Sequence, residues 1–354
     1  MKGKILIALG IIGWLIFWSC TPTQKGIIIG DKPFDSLSEY GFFEGPLADM
    51  NPVDRVLPYD LSNPLFSDYA RKARFVWMPE GASASYTSEG LLDFPKNAVL
   101  IKSFYYQHDE RDLSKGHRIL ETRLLINNGE QWEARSYVWN DEQTEAIYDV
   151  VGDIKEVSWI DASGETKEVN FIIPNKNQCK GCHYYDHNQM PIGPKAGNLN
   201  KDFAYQDGAQ NQLLRWKEVG FLKDLPVIEE VPKWAVWDQP ESGDLHTRAM
   251  AYLDINCRHC HNPKGPANTT GLTLTANALP DGHIGVYKSS VAAGAGTGGY
   301  DYNIVPGNPE ESILYYRMSS IEPAAMMPEL GRRTVHQEGL ALIKDWIEEM
   351  DVMN

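Results

Sequence analysis

Residues 177–194, with the sequence NQCKGCHYYDHNQMPIGP, decide the predicted fold, because they separate a β-type region from helical patterns. Cys179 and Cys182 lie three positions apart in this stretch, and His183 follows the second cysteine directly. The same spacing returns downstream in INCRHCHNPKGPA, residues 255–267. Two cysteine pairs of one pattern predict two related units in the second half of the chain.

The region before the first pair has the pattern of a β domain. Residues 30–171 contain short runs rich in Val, Ile, Tyr, Phe and Trp, such as RILETRLLIN and QWEARSYVWN, with turn-forming sequences between them. We expect an antiparallel β-sandwich or barrel-like domain over this range. The apolar spacing then becomes helical, which predicts two mostly α-helical modules over residues 172–235 and 236–354. The expected fold class is therefore α+β and multidomain.

The C-x-x-C-H pattern is the attachment sequence of c-type haem. One helical turn gives the two thiols the separation of the two vinyl groups at a porphyrin edge, and the next histidine lies under the iron. The chain is thus predicted to carry two covalently bound haem c groups, one in each cytochrome c module. The attachment thiols are Cys179, Cys182, Cys257 and Cys260. The proximal iron ligands are His183 and His261. We also expect a carbonyl of the Gly193-Pro194 or Gly265-Pro266 turn to accept the second imidazole N–H.

Two other chemistries use paired cysteines, and the context disfavours both. A structural zinc site needs its four ligands in one compact module, whereas helix-forming sequence separates these pairs. A redox-active C-x-x-C pair is expected in a thioredoxin-like βαβ setting, which gives no reason for a histidine after each pair.

The distal iron ligand of the second module is predicted to be Met327. Pro328 follows it, and the next helix has an apolar stripe at Leu340, Ile343, Ile347 and Met350. A methionine thioether is a common second ligand in small c-type modules. Met326 is the near alternative and Met318 the remote one.

The distal ligand of the first module is left more open. Met190 is the assigned candidate, although it lies only seven positions after His183. Other candidates are His187, Met250, His246, His108 and His117. Five-coordinate iron is also consistent with the sequence.

The first residues have the pattern of an export signal. Lys2 and Lys4 precede an uncharged, mostly apolar run that ends at Ser19-Cys20. This predicts a lipoprotein signal over residues 1–19, lipidation of Cys20 and a tether over residues 20–29. The mature protein is then expected to face the periplasm or the cell surface, anchored to a membrane by lipid.

The charge of the chain excludes one class of partner. It has 48 acidic and 33 basic residues and a formal charge of −15, so nucleic-acid phosphate would be repelled. The 5 cysteines are all assigned, one to the signal boundary and two to each C-x-x-C-H segment, which leaves none for a disulfide.

Several segments together resemble a family of bacterial dihaem c-type cytochrome lipoproteins with an N-terminal β domain. They are NPLFSDYARKARFVWMP, LIKSFYY, ETRLL, YVWN, IPNKNQCKGCH, PIGPKAGNLN, AYLDINCRHCHNPKGPA and the final MPELG with WI. The resemblance implies covalent haem at both cysteine pairs. It also implies a companion protein of parallel β-helix form.

The expected function is electron transfer, in which an exported dihaem c-type cytochrome relays single electrons between redox protein partners. This makes the chain an electron carrier rather than an enzyme. One alternative is a dihaem peroxidase-type enzyme with an open first haem. Another is a redox module whose β-rich domain binds a polysaccharide or a protein.

Overall fold

The structure, a computed structural model, describes residues 26–278, 283–291 and 293–350. The predicted signal segment 1–19, the lipid-carrying Cys20 and the first residues of the tether lie outside the described residues. Within the described ranges, no helix combines the length and the apolar character that crossing a membrane requires.

The described strands are β1 (Phe43–Glu44), β2 (Asn51–Pro52), β3 (Val56–Tyr59), β4 (Arg71–Trp77), β5 (Ala84–Ser85), β6 (Val99–Gln107), β7 (His117–Asn127), β8 (Trp132–Trp139), β9 (Ala146–Asp149), β10 (Asp153–Ile160), β11 (Thr166–Ile173), β12 (Tyr184–Tyr185), β13 (Asn188–Gln189), β14 (Asp202–Tyr205), β15 (Gly208–Asn211) and β16 (Leu222–Lys223). The described α-helices are α1 (Lys176–His183), α2 (Ala196–Leu199), α3 (Gln212–Glu218), α4 (Leu245–Leu253), α5 (Ile313–Ser319) and α6 (Gln337–Glu348).

An antiparallel sheet of six strands, in the order β3-β4-β6-β7-β8-β9, is the largest unit of the fold. β7 pairs with β8 and β8 with β9 through short connections, residues 128–131 and 140–145, because runs of β-branched and aromatic residues alternate there with turn sequences. In the β7–β8 turn, the side chain of Asn128 accepts hydrogen bonds from the backbone N–H groups of Glu130 and Gln131. The register of the pairs fixes which side chains share a face of the sheet.

One face of the sheet packs against the N-terminal segment. Buried side chains of this core include Tyr40 and Phe42 from that segment and Phe75, Ile101 and Tyr137 from the sheet. The hydroxyl oxygens of Tyr40 and Tyr137 lie 2.8 Å apart, so the two buried phenols satisfy each other.

The opposite face has three zones. At one end, Val76 and Leu100 pack against Trp216 of α3. At the other end, Phe104 packs against Phe171 of the β10–β11 hairpin. The zone between them carries charged side chains and faces a cavity.

The C-terminal third has its own core between α4 and α6. Leu253, Cys257, Ile343 and Ile347 are buried in it, and Met318 of α5 joins them. The apolar spacing of α6 places its buried residues on one side of the helix.

The predicted fold class is wrong, because the described chain does not form two mostly helical cytochrome c modules after a β domain. Its largest unit is the six-stranded sheet, and the described α-helices have 4 to 12 residues. Within residues 172–235, three short helices alternate with the hairpins β12–β13 and β14–β15. Helices this short cannot enclose a core of their own. Leu213 and Trp216 therefore pack on the sheet instead.

Candidate functional site

A cavity of about 310 Å³ lies between the central sheet and both C-x-x-C-H segments. We call residues 179–183 the first CxxCH segment and residues 257–261 the second. The sheet contributes Arg74, Lys102 and Arg123 to the cavity wall. The opposite wall includes side chains of both CxxCH segments and a loop that covers residues 326–333.

The first CxxCH segment lies on α1. Asn175 caps this helix, since its side-chain oxygen accepts hydrogen bonds from the backbone N–H groups of Asn177 and Gln178. Cys179 and Cys182 are three positions apart and so share one face of the helix, and both line the cavity. Cys179 is buried and Cys182 is half-buried.

His183 ends α1 with its ring held in one orientation. Its Nδ1 atom lies 2.7 Å from the carbonyl oxygen of Met190, so Nδ1 carries the proton that is donated. Burial lowers the pKa of His183 to about 3, with a further contribution from the nearby Lys102. The imidazole is therefore neutral at pH 7, with a lone pair on Nε2.

The second CxxCH segment begins in a π-helical turn, Asp254–Arg258, that continues α4. Such turns inside α-helices are frequent at functional sites. Cys257 and His259 line the cavity, whereas Cys260 and His261 lie outside its described lining. The Nδ1 atom of His261 lies 3.2 Å from Oγ1 of Thr270.

The structure places the two CxxCH segments next to each other. The backbone N–H of Asp186 donates to the carbonyl of Lys264 at 3.1 Å, and their side chains form an ion pair at 2.7 Å. Cys182 is close enough to Cys260 to raise the pKa of its thiol, in addition to burial. The two segments, which the sequence assigns to separate units, thus belong to one site.

All four thiols are held in the protonated state. Burial raises the pKa of Cys257 and of Cys260 to about 12. Burial also raises the pKa of Cys179 and of Cys182, although the charge of Arg123 opposes this. Because the thiolate is the reactive and metal-binding form, these cysteines are poor nucleophiles as they stand.

The methionines predicted as distal ligands have different positions. Met318, Met326 and Met327 all line the cavity. Met190 presents its backbone carbonyl to His183, and the carbonyl expected from the Gly193-Pro194 turn does not have this role. The described lining of the cavity does not include the other candidates, His187, Met250, His246, His108 and His117.

The prediction of two covalently bound, iron-containing haem c groups is contradicted. Among the residues that the structure describes, no group of three or more histidine, cysteine, aspartate or glutamate side chains could hold a metal ion. The thiols give a physical reason: addition to a porphyrin vinyl group needs a nucleophilic thiolate, whereas burial raises the pKa of all four cysteines. The individual roles predicted for Met327 and the other site residues are not tested by these observations and remain predictions.

Sequence reasoning missed the charged part of the cavity wall. Lys72 and Arg74 of β4 are two positions apart, so they point to the same face of the sheet. The alternation of basic residues in YARKARFVW, residues 69–77, could have predicted a charged face on this strand. The facing residues Lys102 and Arg123 come from other strands, and only the register brings them together.

His259 and His336 were also missed, and both line the cavity. Burial lowers the pKa of each imidazole to about 4. The Nδ1 atom of His259 is buried and has no hydrogen-bond partner. His336 stacks on Phe66, with ring centroids 4.2 Å apart, and its Nδ1 atom lies 3.0 Å from the hydroxyl of Tyr252.

Comparisons of the chain with models of protein families, with curated proteins and with solved structures found no match. Any functional statement therefore depends on the residues of the site itself.

Proposed function

We propose that the protein is an exported electron-transfer protein that passes single electrons between redox partner proteins. Its redox chemistry is located at the two CxxCH segments. The observation that supports this most is their convergence, since Cys179 and Cys182 line the same cavity as Cys257. Two redox segments in one enclosed space give a short path for an electron, because little solvent has to reorganise around them.

The state of the side chains also favours electron transfer over thiol–disulfide exchange. Exchange requires a thiolate near neutral pH, and burial raises the pKa of Cys257 to about 12. The two imidazoles have fixed rings, because the Nδ1 atoms of His183 and His261 are both in hydrogen bonds. A fixed, enclosed site changes its geometry little when its charge changes.

The location and the partners belong to the same proposal. The sequence of residues 1–20 supports export and a lipid anchor at Cys20. The partners are exported redox proteins, among them a protein of parallel β-helix form. The formal net charge of −15 supports partners that present basic patches.

The test is a potentiometric titration of the full protein, isolated from the membrane fraction of cells that export it. We expect a reversible signal whose slope is about 59 mV per decade, as one-electron transfer requires. Cys179→Ser/Cys182→Ser and Cys257→Ser/Cys260→Ser should each remove part of the signal. Lys96→Met, an exposed residue outside the described lining of the cavity, is the control and should leave the signal unchanged.

Two results would overturn the proposal. One is a protein with no titratable signal. The other is a slope of about 30 mV per decade, which a dithiol and its disulfide give because they exchange two electrons. In either case the cysteine pairs do not relay single electrons.

A further inference from the structure

A row of three cations crosses the wall of the cavity. Arg74 of β4 lies directly opposite Lys102 of β6, and Lys102 lies directly opposite Arg123 of β7. All three side chains line the cavity, as does Lys72, which precedes Arg74 by two positions. Like charges at directly opposed positions destabilise a sheet, so this row needs a compensating charge.

Two of these cations, Arg74 and Arg123, are each paired with a carboxylate of the protein. The guanidinium of Arg74 lies 2.7 Å from Oδ1 of Asp60. The guanidinium of Arg123 forms a bidentate pair with Glu121, which is fully buried. These pairs neutralise the row at two positions and leave the others uncompensated.

The ammonium groups of Lys72 and Lys102 have no carboxylate within ion-pair distance among the described residues. The nearest acids that act on them, Asp68 and Glu121, are engaged elsewhere. Asp68 accepts hydrogen bonds from the backbone N–H groups of Arg333 and Thr334, and Glu121 pairs with Arg123. The sheet side of the cavity therefore carries two lysines, Lys72 and Lys102, that have no carboxylate partner among the described residues.

The remaining walls of the cavity are mostly apolar. They include Phe66, Leu100, Leu125, Ile192 and Met326. The two terminal nitrogens of Arg332 donate to the backbone carbonyls of Thr334, Arg317, Ser320 and Met327, so these donors are already engaged within the protein. Apolar walls with a few convergent charges are typical of sites for small organic ligands, and about 310 Å³ is a suitable volume.

We infer that the cavity binds an organic dianion, a molecule with an apolar body and two acidic groups that pair with Lys72 and Lys102. The apolar body occupies the space between the sheet and the side chains of Ile192 and Met326. Binding places the ligand beside Cys179 and Cys257, within the site described above. This inference goes beyond the proposed electron transfer and does not depend on it.

The test uses isothermal titration calorimetry on the full protein with naphthalene-2,6-dicarboxylate as the probe, at pH 6, where Lys102 is mostly charged because its pKa is lowered only to about 7. The monoanion 2-naphthoate has the same apolar body with one acidic group. We expect the dicarboxylate to bind at least tenfold more tightly than 2-naphthoate. Lys72→Gln and Lys102→Met should each weaken the dicarboxylate at least tenfold and bring its affinity close to that of the monoanion.

The matched control is Lys96→Met, which removes an exposed lysine and should leave both affinities unchanged. Far-UV circular dichroism of each variant shows whether the sheet is intact, and Lys72→Gln decides the question if Lys102→Met unfolds. Equal affinity for the two probes overturns the inference. So does the absence of dicarboxylate binding, or an equal loss in all three variants.

Discussion

The Nδ1 atom of His183 lies 2.7 Å from the carbonyl oxygen of Met190, and this contact fixes the imidazole at the end of α1. The carbonyl can only accept, so the ring must donate. We expect His183→Asn to keep most of the stability, because the amide nitrogen of asparagine is bonded to Cγ, as Nδ1 is in histidine. His183→Leu leaves the carbonyl unsatisfied and should cost about 1–3 kcal/mol.

Urea unfolding of the two variants measures this difference. His183→Asn keeps a donor to the Met190 carbonyl but lacks the rest of the ring, so a loss of the redox signal in this variant reports on the Nε2 side of the imidazole and not on the hydrogen bond. Equal stability of His183→Asn and His183→Leu would mean that the hydrogen bond to Met190 contributes little.

Because Lys102 lies between two other basic residues on the sheet, we expect that removing its charge stabilises the protein. Lys102 is flanked by Arg74 and Arg123, and burial, with these two charges, lowers its pKa to about 7. Lys102→Met keeps the aliphatic stem and removes the charge. We expect the free energy of unfolding at pH 6 to rise by about 1–2 kcal/mol.

Urea unfolding at pH 6 and pH 9 checks this expectation. At pH 9 the native lysine is already neutral, so the gain from Lys102→Met should be smaller there. The exposed Lys96→Met is the control and should stay within about 0.5 kcal/mol of the native protein at both pH values. A destabilised Lys102→Met variant at pH 6 would contradict the assignment of an unfavourable charge.

Much of the local structure could be predicted from the sequence. The runs RILETRLLIN and QWEARSYVWN lie in β7 and β8, because alternation within one strand is local information. The N-cap of α3 is a counterexample. In DGAQNQLLRWKEVGFL, Asp207 precedes the apolar helical pattern and so predicts a cap at that position. Residues 202–211 form the β14–β15 hairpin, however, and Asn211 caps the helix instead.

The larger errors concern long-range packing. Periodicity in QLLRWKE correctly indicates a helix, but it does not say which surface will cover Trp216. The same limit applies to the site. The CxxCH segments are visible in the sequence, whereas their shared cavity and the cations opposite them depend on strand register and on tertiary contacts.

Trp216 provides a test of whether residues 172–235 fold together with the sheet. Its ring is fully buried among Tyr59, Phe94 and neighbouring side chains, and its Nε1 atom has no hydrogen-bond partner. Trp216→Ala therefore loses packing alone and should cost about 3–5 kcal/mol. Leu214→Ala, on an exposed face of the same helix, should cost much less.

Urea unfolding of both variants should be followed by far-UV circular dichroism and by near-UV signals of the sheet aromatics. We expect one transition that shifts as a whole in Trp216→Ala, because the two regions share a core. Two separate transitions, with the sheet unaffected by the substitution, would show that residues 172–235 unfold independently.

His336 predicts a dependence of stability on pH. Burial lowers its pKa to about 4 in the folded protein, against about 6.5 in the unfolded chain. Between these values the unfolded chain binds a proton that the folded protein does not. Stability therefore falls as the pH falls through this window.

His336→Phe keeps a ring against Phe66 and removes the titrating group. From pH 7 to pH 5, we expect this variant to lose about 1–2 kcal/mol less stability than the native protein. Leu113→Phe, at an exposed position, changes no titrating group and is the control, so its loss should equal that of the native protein. Urea unfolding at the two pH values gives the comparison, and identical losses in all three proteins would exclude the role of His336.

Lys195 and Asp254 form a buried ion pair. The pair connects the loop between β13 and α2 to the π-helical turn in which the second CxxCH segment begins. Their side chains are 7% and 2% exposed. The other oxygen of Asp254 accepts a hydrogen bond from the backbone N–H of Ala276 at 3.1 Å. Lys195→Met leaves this carboxylate buried without its main partner, and we expect a cost of about 3–5 kcal/mol.

A double-mutant cycle separates the pair from the desolvation of its members. Asp254→Asn keeps an acceptor for Ala276 and removes the charge, so adding it to Lys195→Met should restore part of the lost stability. The sum of the two single costs should then exceed the cost of the double variant by more than 1 kcal/mol in urea unfolding. Additive costs would mean that the two charges act independently. The contact between the CxxCH segments would then depend on Asp186 and Lys264 and on packing around the cavity instead.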